Sequence, residues 1–480
     1  MSTVTTAFGI LITLQAIFIA IGIVTERRHQ SSKLAWLMIL VLVPLLGLLF
    51  YMLFGRLRPA LRMRARREAN EVFEERILAA GERGQGLDPL NSLPPALHAV
   101  ASITRRTSGA ALTEGNSVDI LSRGFSKFAA LRAAIEQATQ YVHMEYYIIR
   151  DDNTGRSIRD ALIEARSRGV EVRLLIDGAG CFYLPDSWLR PLREAGARVA
   201  TFLPIRFPFL TSRRDFRNHR KLVVIDGREA FLGGMNIGDE YSGYGDDDSA
   251  PTTWRDTHAH VVGPCVAGLD EVFAEDWFYA THDPLLRPDP AHWDTPAGDH
   301  IVQVVASGPD RSWPTFQQVA FSVITAAREQ VNITTPYFVP DASILMALQT
   351  AALSGVAIRI LVPGKSNHPL VSAAQRGFYP ELLDAGVEIY EYQPGLIHAK
   401  TLVADDRYSL IGSANMDMRS FRLNFELGLS VIHESCARRL LDDFGNDLAQ
   451  SRRFTIEDLQ HRGPLRRFAY SAAQLTSPLL

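Results

Sequence analysis

The chain opens on two apolar stretches, residues 8–24 and 34–54, and further on changes to an alternation of helix-like and strand-like patterns. Thr13 and Gln15 interrupt the first stretch, Pro44 and Gly47 the second. Each approaches the roughly 20 residues that cross a bilayer core, and residues 25–33 between them are short enough for a hairpin turn. No lysine or arginine precedes the first stretch and no small-residue cleavage site follows it. Two transmembrane helices are therefore expected, not a removed signal peptide.

Past the apolar stretches the pattern occurs twice. Residues 169–176 read against 355–362, each a glycine, a valine and an alternating apolar strand, and each has an alanine-rich helical stretch upstream. Residues 192–199 and 383–389 then repeat a helix end, a glycine cap at Gly196 or Gly386, and a strand. Alternation of this kind predicts an α/β fold with helices layered on a largely parallel or mixed sheet, present in two homologous copies. The expected organisation is a hairpin anchor over residues 1–60, a basic segment and linker over 61–115, a first domain over 116–295 and a second domain with its tail over 296–480. Pro89, Pro94 and Pro95, with several glycines and serines, mark the linker.

The polar residues repeat as well. His219, Lys221, Asp226, Gly233, Gly234 and Asn236 recur at identical offsets as His398, Lys400, Asp405, Gly412, Ser413 and Asn415. A single H-x-K spacing is a weak signal, whereas two with matched trailing residues imply one active site built from two half-sites. On a strand, residues two apart share a face, so each histidine and its lysine are expected to enter one cleft. Two imidazoles facing one phosphate can divide the work, one attacking phosphorus and the other donating to the leaving oxygen. Lys221 and Lys400, with amide donors from Asn236 and Asn415, would offset the charge of the transition state, so no metal or other cofactor is required. Asp226 and Asp405 are candidates either for catalysis or for bracing the loop that follows each strand. Asp256 and Glu426, each followed by a strand-like apolar run, are a further acidic pair.

The paired motif resembles the HKD signature of the phospholipase D superfamily. The resemblance implies two phospholipase D-like α/β/α sandwich domains packed together, with the catalytic set His219, Lys221, Asp226, His398, Lys400 and Asp405. Asn236, Asn415, Ser413, Asp256 and Glu426 would bind phosphate or orient the histidines, a carboxylate fixing the tautomer of each ring. Within the superfamily, a double-span anchor followed by two HKD halves is similar to the layout of bacterial cardiolipin synthases, and nearly the whole chain takes part. That implies phosphatidyl transfer between two phosphatidylglycerol molecules, giving cardiolipin and glycerol, with phosphatidylethanolamine as an alternative donor. His219 would attack phosphorus and His398 serve as acid and then base, with the reverse assignment open. A bell-shaped dependence of rate on pH follows.

Composition narrows the alternatives. A formal charge of -3 argues against a general nucleic-acid binder, and no nucleic-acid partner is expected. Cys181, Cys265 and Cys436 have neither CxxC spacing nor an even count, so they read as reduced and structural. His258 and His260 share a strand face but lack a third ligand. Arg56, Arg58, Arg62, Arg64, Arg66 and Arg67 outnumber Arg27, Arg28 and Lys33 of the hairpin. The positive-inside rule then places the catalytic domains in the cytoplasm, at the inner membrane of a bacterial cell. Residues 207–217 interleave aromatics with arginines, a composition suited to lipid headgroups or equally to single-stranded nucleic acid. A hydrolytic phospholipase D and a membrane-tethered nuclease are the competing readings, and the oligomeric state is not legible.

Overall fold

The computed structural model describes residues 17, 19–24, 30–43, 47, 51, 90, 93–205, 216–242, 254–285, 296–461 and 463–477. The chain divides into two units, residues 1–64 and 65–480.

In the first unit, helix α1 (Gln30–Leu42) is apolar on more than one face. Leu40 buries with Ile23 and Tyr51, while Leu34, Met38, Val41 and Leu42 stay exposed. Among the described residues no helix is long and apolar enough to cross a membrane. Most of the first expected span, the loop residues Arg27 and Arg28, the arginines from 56 to 67 and residues 207–215 lie outside the described residues.

The second unit is built on one continuous mixed sheet. Its first half contributes β1 (Leu112–Leu121), β2 (Tyr141–Tyr146), β3 (Glu171–Asp177), β4 (Arg198–Phe202), β5 (Lys221–Ile225), β6 (Glu229–Gly233) and β7 (His258–Val262). The second half contributes β8 (His300–Ser307), β9 (Gln330–Thr334), β10 (Ala357–Pro363), β11 (Glu388–Tyr392), β12 (Thr401–Ala404), β13 (Tyr408–Gly412), β14 (Asn424–Ile432) and β15 (Ser451–Phe454). The order across the sheet is β15-β11-β10-β9-β12-β13-β14-β8-β1-β7-β6-β5-β2-β3-β4. The halves are thus near mirror images in order, joined where β1 lies antiparallel to β8. Strands β2, β3 and β4 run parallel, as do β9, β10 and β11. The mixed α/β architecture and its duplication match the expectation from the sequence.

The linker expected up to residue 115 is instead partly folded. Helix α2 (Pro95–Ser108) buries Val100 and Ala101 in the core of the second half. Gln303 Nε2 donates to the Ala101 carbonyl at 3.2 Å, and Arg311 donates to that of Ser108 at 3.0 Å. The proline pair read as a breaker occupies the cap and first turn, where the missing N–H costs no hydrogen bond.

Candidate active site

Neither histidine lies within a regular strand. The expectation that H-x-K forms a continuous strand fails at its first residue, because the backbone there crosses to the other half. His219 N–H donates to the Phe425 carbonyl at 2.9 Å, and His398 N–H donates to that of Arg255 at 2.6 Å. Strands β5 and β12 begin only at Lys221 and Thr401.

The same crossing pairs each ring with a carboxylate of the opposite half. His219 Nδ1 lies 3.0 Å from Glu426 Oε2, and His398 Nδ1 lies 2.7 Å from Asp256 Oδ2. An ionised carboxylate only accepts, so Nδ1 carries the proton and the lone pair of the neutral ring sits on Nε2. Lys400 Nζ also lies 2.7 Å from His398 Nδ1 and donates to the His398 carbonyl. Since Nδ1 cannot both donate to Asp256 and accept from Lys400, the Asp256 contact is the hydrogen bond and the lysine is a charge alongside it. Lys221 Nζ makes the equivalent bond to the His219 carbonyl at 2.5 Å.

Glu426 is held by Asn424 Nδ2 at 3.0 Å and by the Ser413 hydroxyl. Ser413 therefore orients a carboxylate. Gly234 is its counterpart beside Asp256, where an added Cβ would lie 2.1 Å from Asp256 Oδ1. The difference between G-G and G-S in the two motifs is thus steric: one carboxylate needs the space, the other uses a hydroxyl.

Burial and mutual repulsion set the charge states. Burial pushes Lys221 down to about 7 and Lys400 down to about 8, with Lys400 further depressing Lys221 and the carboxylates partly opposing. Burial also lowers His219, and burial with the Lys400 charge takes His398 down to about 3. For Asp256 and Glu426, burial favours the neutral acid, but Lys400 with His398, and His219 with Lys221, outweigh it and keep both carboxyls below their ordinary values. The site therefore holds neutral imidazoles, ionised carboxylates and two easily discharged lysines. An anionic phosphodiester bound between the lysines would stabilise their charged forms. Because a lysine binds phosphate only when charged, and both lose their proton far below the usual lysine range, kcat/KM for a phosphodiester is expected to fall as pH rises through about 7 to 8. A pH profile under subsaturating substrate checks this, and a plateau extending to the ordinary lysine range contradicts it.

The two amides are more committed than expected. Asn236 Nδ2 donates to the Tyr241 hydroxyl at 2.8 Å and its Oδ1 accepts from Ile148 N–H; the Asn415 side chain bonds Asp417. One amide hydrogen of Asn236 remains for a phosphate. Asp226 and Asp405 do not join the cleft. Each occupies the left-handed backbone region at the far end of its strand, with φ of 53° and 52°. The Asp226 carboxylate accepts from Thr139, Gln140 and Tyr141 N–H, each at 2.8 Å, and Asp405 accepts from Arg328, Glu329 and Gln330. The geometry corrects the catalytic reading of these two residues to the bracing one.

Sequence reasoning missed a residue that fastens the halves together. Arg220, between His219 and Lys221, is buried and donates to Asp276 at 2.5 Å and to the Glu426 and Ser307 carbonyls at 3.3 Å. Its counterpart is Ala399, so the motif gave no cue. Asp177 accepts from Asn218 N–H at 2.9 Å, immediately before His219. Lys127 is buried beside Tyr146, its Nζ 3.1 Å from the hydroxyl. Tyr147 stands edge-on to His219 at 4.9 Å, and Trp254 lies 5.1 Å from His398. His258 is buried, while His260 bonds Glu229 at 2.7 Å, so the two do not act together. Among the described residues one group of metal-ligating type, Asp299, His300 and His433, clusters at the start of β8, the end opposite the cleft.

Two histidine-lysine half-sites, each completed by a carboxylate from the other half of a duplicated α/β sheet, define a site of phospholipase D type. A family model described as "Cardiolipin synthase, PLD-like domain" matches residues 131–256 and again 321–448, and one described as "Phospholipase_D-nuclease N-terminal" matches residues 16–56. The chain is 38% identical to a cardiolipin synthase of Halalkalibacterium halodurans over 99% of its own length and 94% of the relative's. It is 40% identical to cardiolipin synthase 2 of Bacillus anthracis, over 98% of this chain and 90% of that one. With the major cardiolipin synthase ClsA of Bacillus subtilis it shares 37% identity over 98% of both. In fold it is similar to the crystal structure of phosphatidylserine synthase from Haemophilus influenzae, with a TM-score of 0.60 over 80% of this chain and 100% of that one at 16% identity. The chain belongs to the cardiolipin synthase family of phospholipase D-like proteins.

Proposed function

We propose that this protein is a phosphatidyltransferase that joins two phosphatidylglycerol molecules into cardiolipin and releases glycerol. The observation that carries the reading is the pair of neutral imidazoles, each fixed by a carboxylate from the opposite half and each beside a buried lysine. Family membership over nearly the whole chain supplies the substrate class. In the first step the His219 lone pair forms a bond to phosphorus as the bond to the glycerol oxygen breaks, and His398 delivers a proton to that oxygen. In the second step the hydroxyl of another phosphatidylglycerol attacks phosphorus, its proton passing to His398 while the bond to His219 breaks. Lys221 and Lys400 carry the charge of the phosphate oxygens through both transition states. Phosphatidylethanolamine as donor would follow the same route with ethanolamine leaving.

Residues 1–60 serve in this reading as a membrane hairpin, and the catalytic halves face the cytoplasm. The outward apolar side chains of α1 support it, as exposed leucines and valines at this density suit lipid better than water.

Mass-spectrometric analysis of the products formed by detergent-purified protein from phosphatidylglycerol alone tests the assignment. Cardiolipin with released glycerol is the expected result. Phosphatidic acid in its place would make the enzyme a hydrolase, and no turnover would overturn the donor.

A further inference from the structure

Five large apolar side chains stand in solvent at one edge of the second unit, on two loops and on the first turns of two helices that follow strands. Phe125 is 77% exposed, Phe182 55%, Tyr183 85%, Trp313 57% and Leu370 51%. Scattered singly, such residues would need no explanation. Their positions are not scattered, because each loop leaves the sheet at the end that bears the site.

The loop after β1 begins at Leu121, which pairs with His258, two residues beyond Asp256. Its counterpart after β8 begins at Ser307, which pairs with Glu426 itself. The loop after β3 begins at Asp177, hydrogen-bonded to the residue before His219, and Cys181 Sγ in it meets the Tyr147 carbonyl. Its counterpart after β10 carries Asn367, which accepts from the Tyr337 hydroxyl at 2.8 Å, and His368, 5.5 Å from the Tyr337 ring. Phe125 and Trp313 therefore follow equivalent strands of the two halves, β1 and β8, and the Phe182–Tyr183 pair and Leu370 follow the other equivalent two, β3 and β10.

The aromatic pair is fixed in place. Asp177 accepts from Ala179 and Gly180 N–H at 2.8 Å, and the two rings meet edge to face at 5.3 Å. At Gly180 the loop presses so closely on Tyr147 that an added Cβ would lie 2.0 Å from the Tyr147 carbonyl oxygen. Holding exposed aromatics rigidly lowers the entropy lost when they are covered. The charges of the four loops complete the pattern. Arg123 and Lys365 are exposed, Asp177 and Asp310 are buried, and Asp186, the exposed carboxylate that follows the loop after β3, is paired with Arg193 at 2.6 Å.

We propose that this edge is laid against the lipid bilayer, with the five side chains set among the lipids around the mouth of the cleft and Arg123 and Lys365 at anionic headgroups. The inference rests on the lipid-substrate reading and adds the path to it: a substrate reaches the two histidines from the membrane plane through a rim contributed by both halves. Apolar side chains with cations and no unpaired exposed carboxylate suit an anionic membrane surface.

The test uses the full chain in proteoliposomes of phosphatidylcholine and phosphatidylglycerol. Nitroxide labels are placed on Tyr183→Cys, Trp313→Cys and, as a control, Leu353→Cys, which is 74% exposed just before the opposite end of β10. The native cysteines are buried. Labels on the two rim variants should collide more with oxygen than with a water-soluble nickel chelate, and the ratio should reverse at the control. Rim labels as open to nickel as the control would overturn the proposal. So would spin-spin broadening at the rim labels, which puts a second copy of the chain on this surface. Product analysis in the same vesicles keeps the two readings apart: cardiolipin formed with an aqueous rim defeats only the rim, and a lipid-buried rim without cardiolipin defeats only the reaction.

Discussion

His219→Asn and His398→Asn should each lower turnover on phosphatidylglycerol by about four orders of magnitude or more, and only one of them should abolish the first chemical step. A phosphatidyl ester of p-nitrophenol separates the roles, since that leaving group departs without a proton. With His219 as nucleophile, His398→Asn gives a burst of one nitrophenolate per enzyme and holds the phosphatidyl group on His219, while His219→Asn gives none. The opposite pattern would assign the attack to His398. Both outcomes have a physical basis. The resemblance to the superfamily favours His219, but His398 is the more strongly neutral ring, held down to about 3 by burial and by Lys400 at 2.7 Å. An acid must be protonated when the leaving group departs, so this assignment requires the bound phosphodiester to raise His398 well above that value. The negative charge of the substrate acts in that direction. A burst from both variants would show that neither ring is the unique nucleophile.

The histidines and lysines were legible because chemistry fixes their spacing, and a duplicated sequence prints it twice; Asp256 and Glu426 stand at different offsets from the histidines and were matched only by the apolar strand that follows each. The duplicated mixed α/β architecture was legible for the same reason, as each copy repeats its glycine-capped helices and apolar strands. What the sequence did not reveal is everything that depends on contact between the copies. Asp256 and Glu426 were aligned as equivalents, but the crossing that gives each to the opposite histidine comes from backbone pairing at Phe425 and Arg255. Arg220 looked like the arbitrary middle of H-x-K, and its value lies in Asp276 and two carbonyls far along the chain. Asp226 and Asp405 show the converse error. Their spacing is as regular as that of the histidines, but regular spacing also arises when a turn must be fastened, here by a carboxylate closing on three successive N–H groups. Helix α2 was lost to its prolines, which mark a helix start as readily as a loop.

Asp256→Asn should cost about 10⁴ in kcat while leaving the fold intact, since an amide of the same shape can turn its NH₂ toward His398 and hold the ring in the wrong tautomer. The loss should appear although Asp256 is in the first half and the ring it serves is in the second. It should also come with a signature that misfolding would not produce. Asp256 is the largest influence holding the Lys400 charge against burial, so its removal lowers Lys400 below about 8 and moves the basic limb of kcat/KM to lower pH. Glu426→Gln is the paired experiment: it disturbs His219 and removes the main support of the Lys221 charge. Circular dichroism and thermal unfolding establish that each variant is folded, and pH profiles of the residual activity then read the limb. A basic limb that stays in place in both variants would mean the carboxylates do not set the lysine charges. A loss in Asp256→Asn that is small beside that in Glu426→Gln would mean the crossed pairs are not equivalent, and that the His398 half-site tolerates either tautomer.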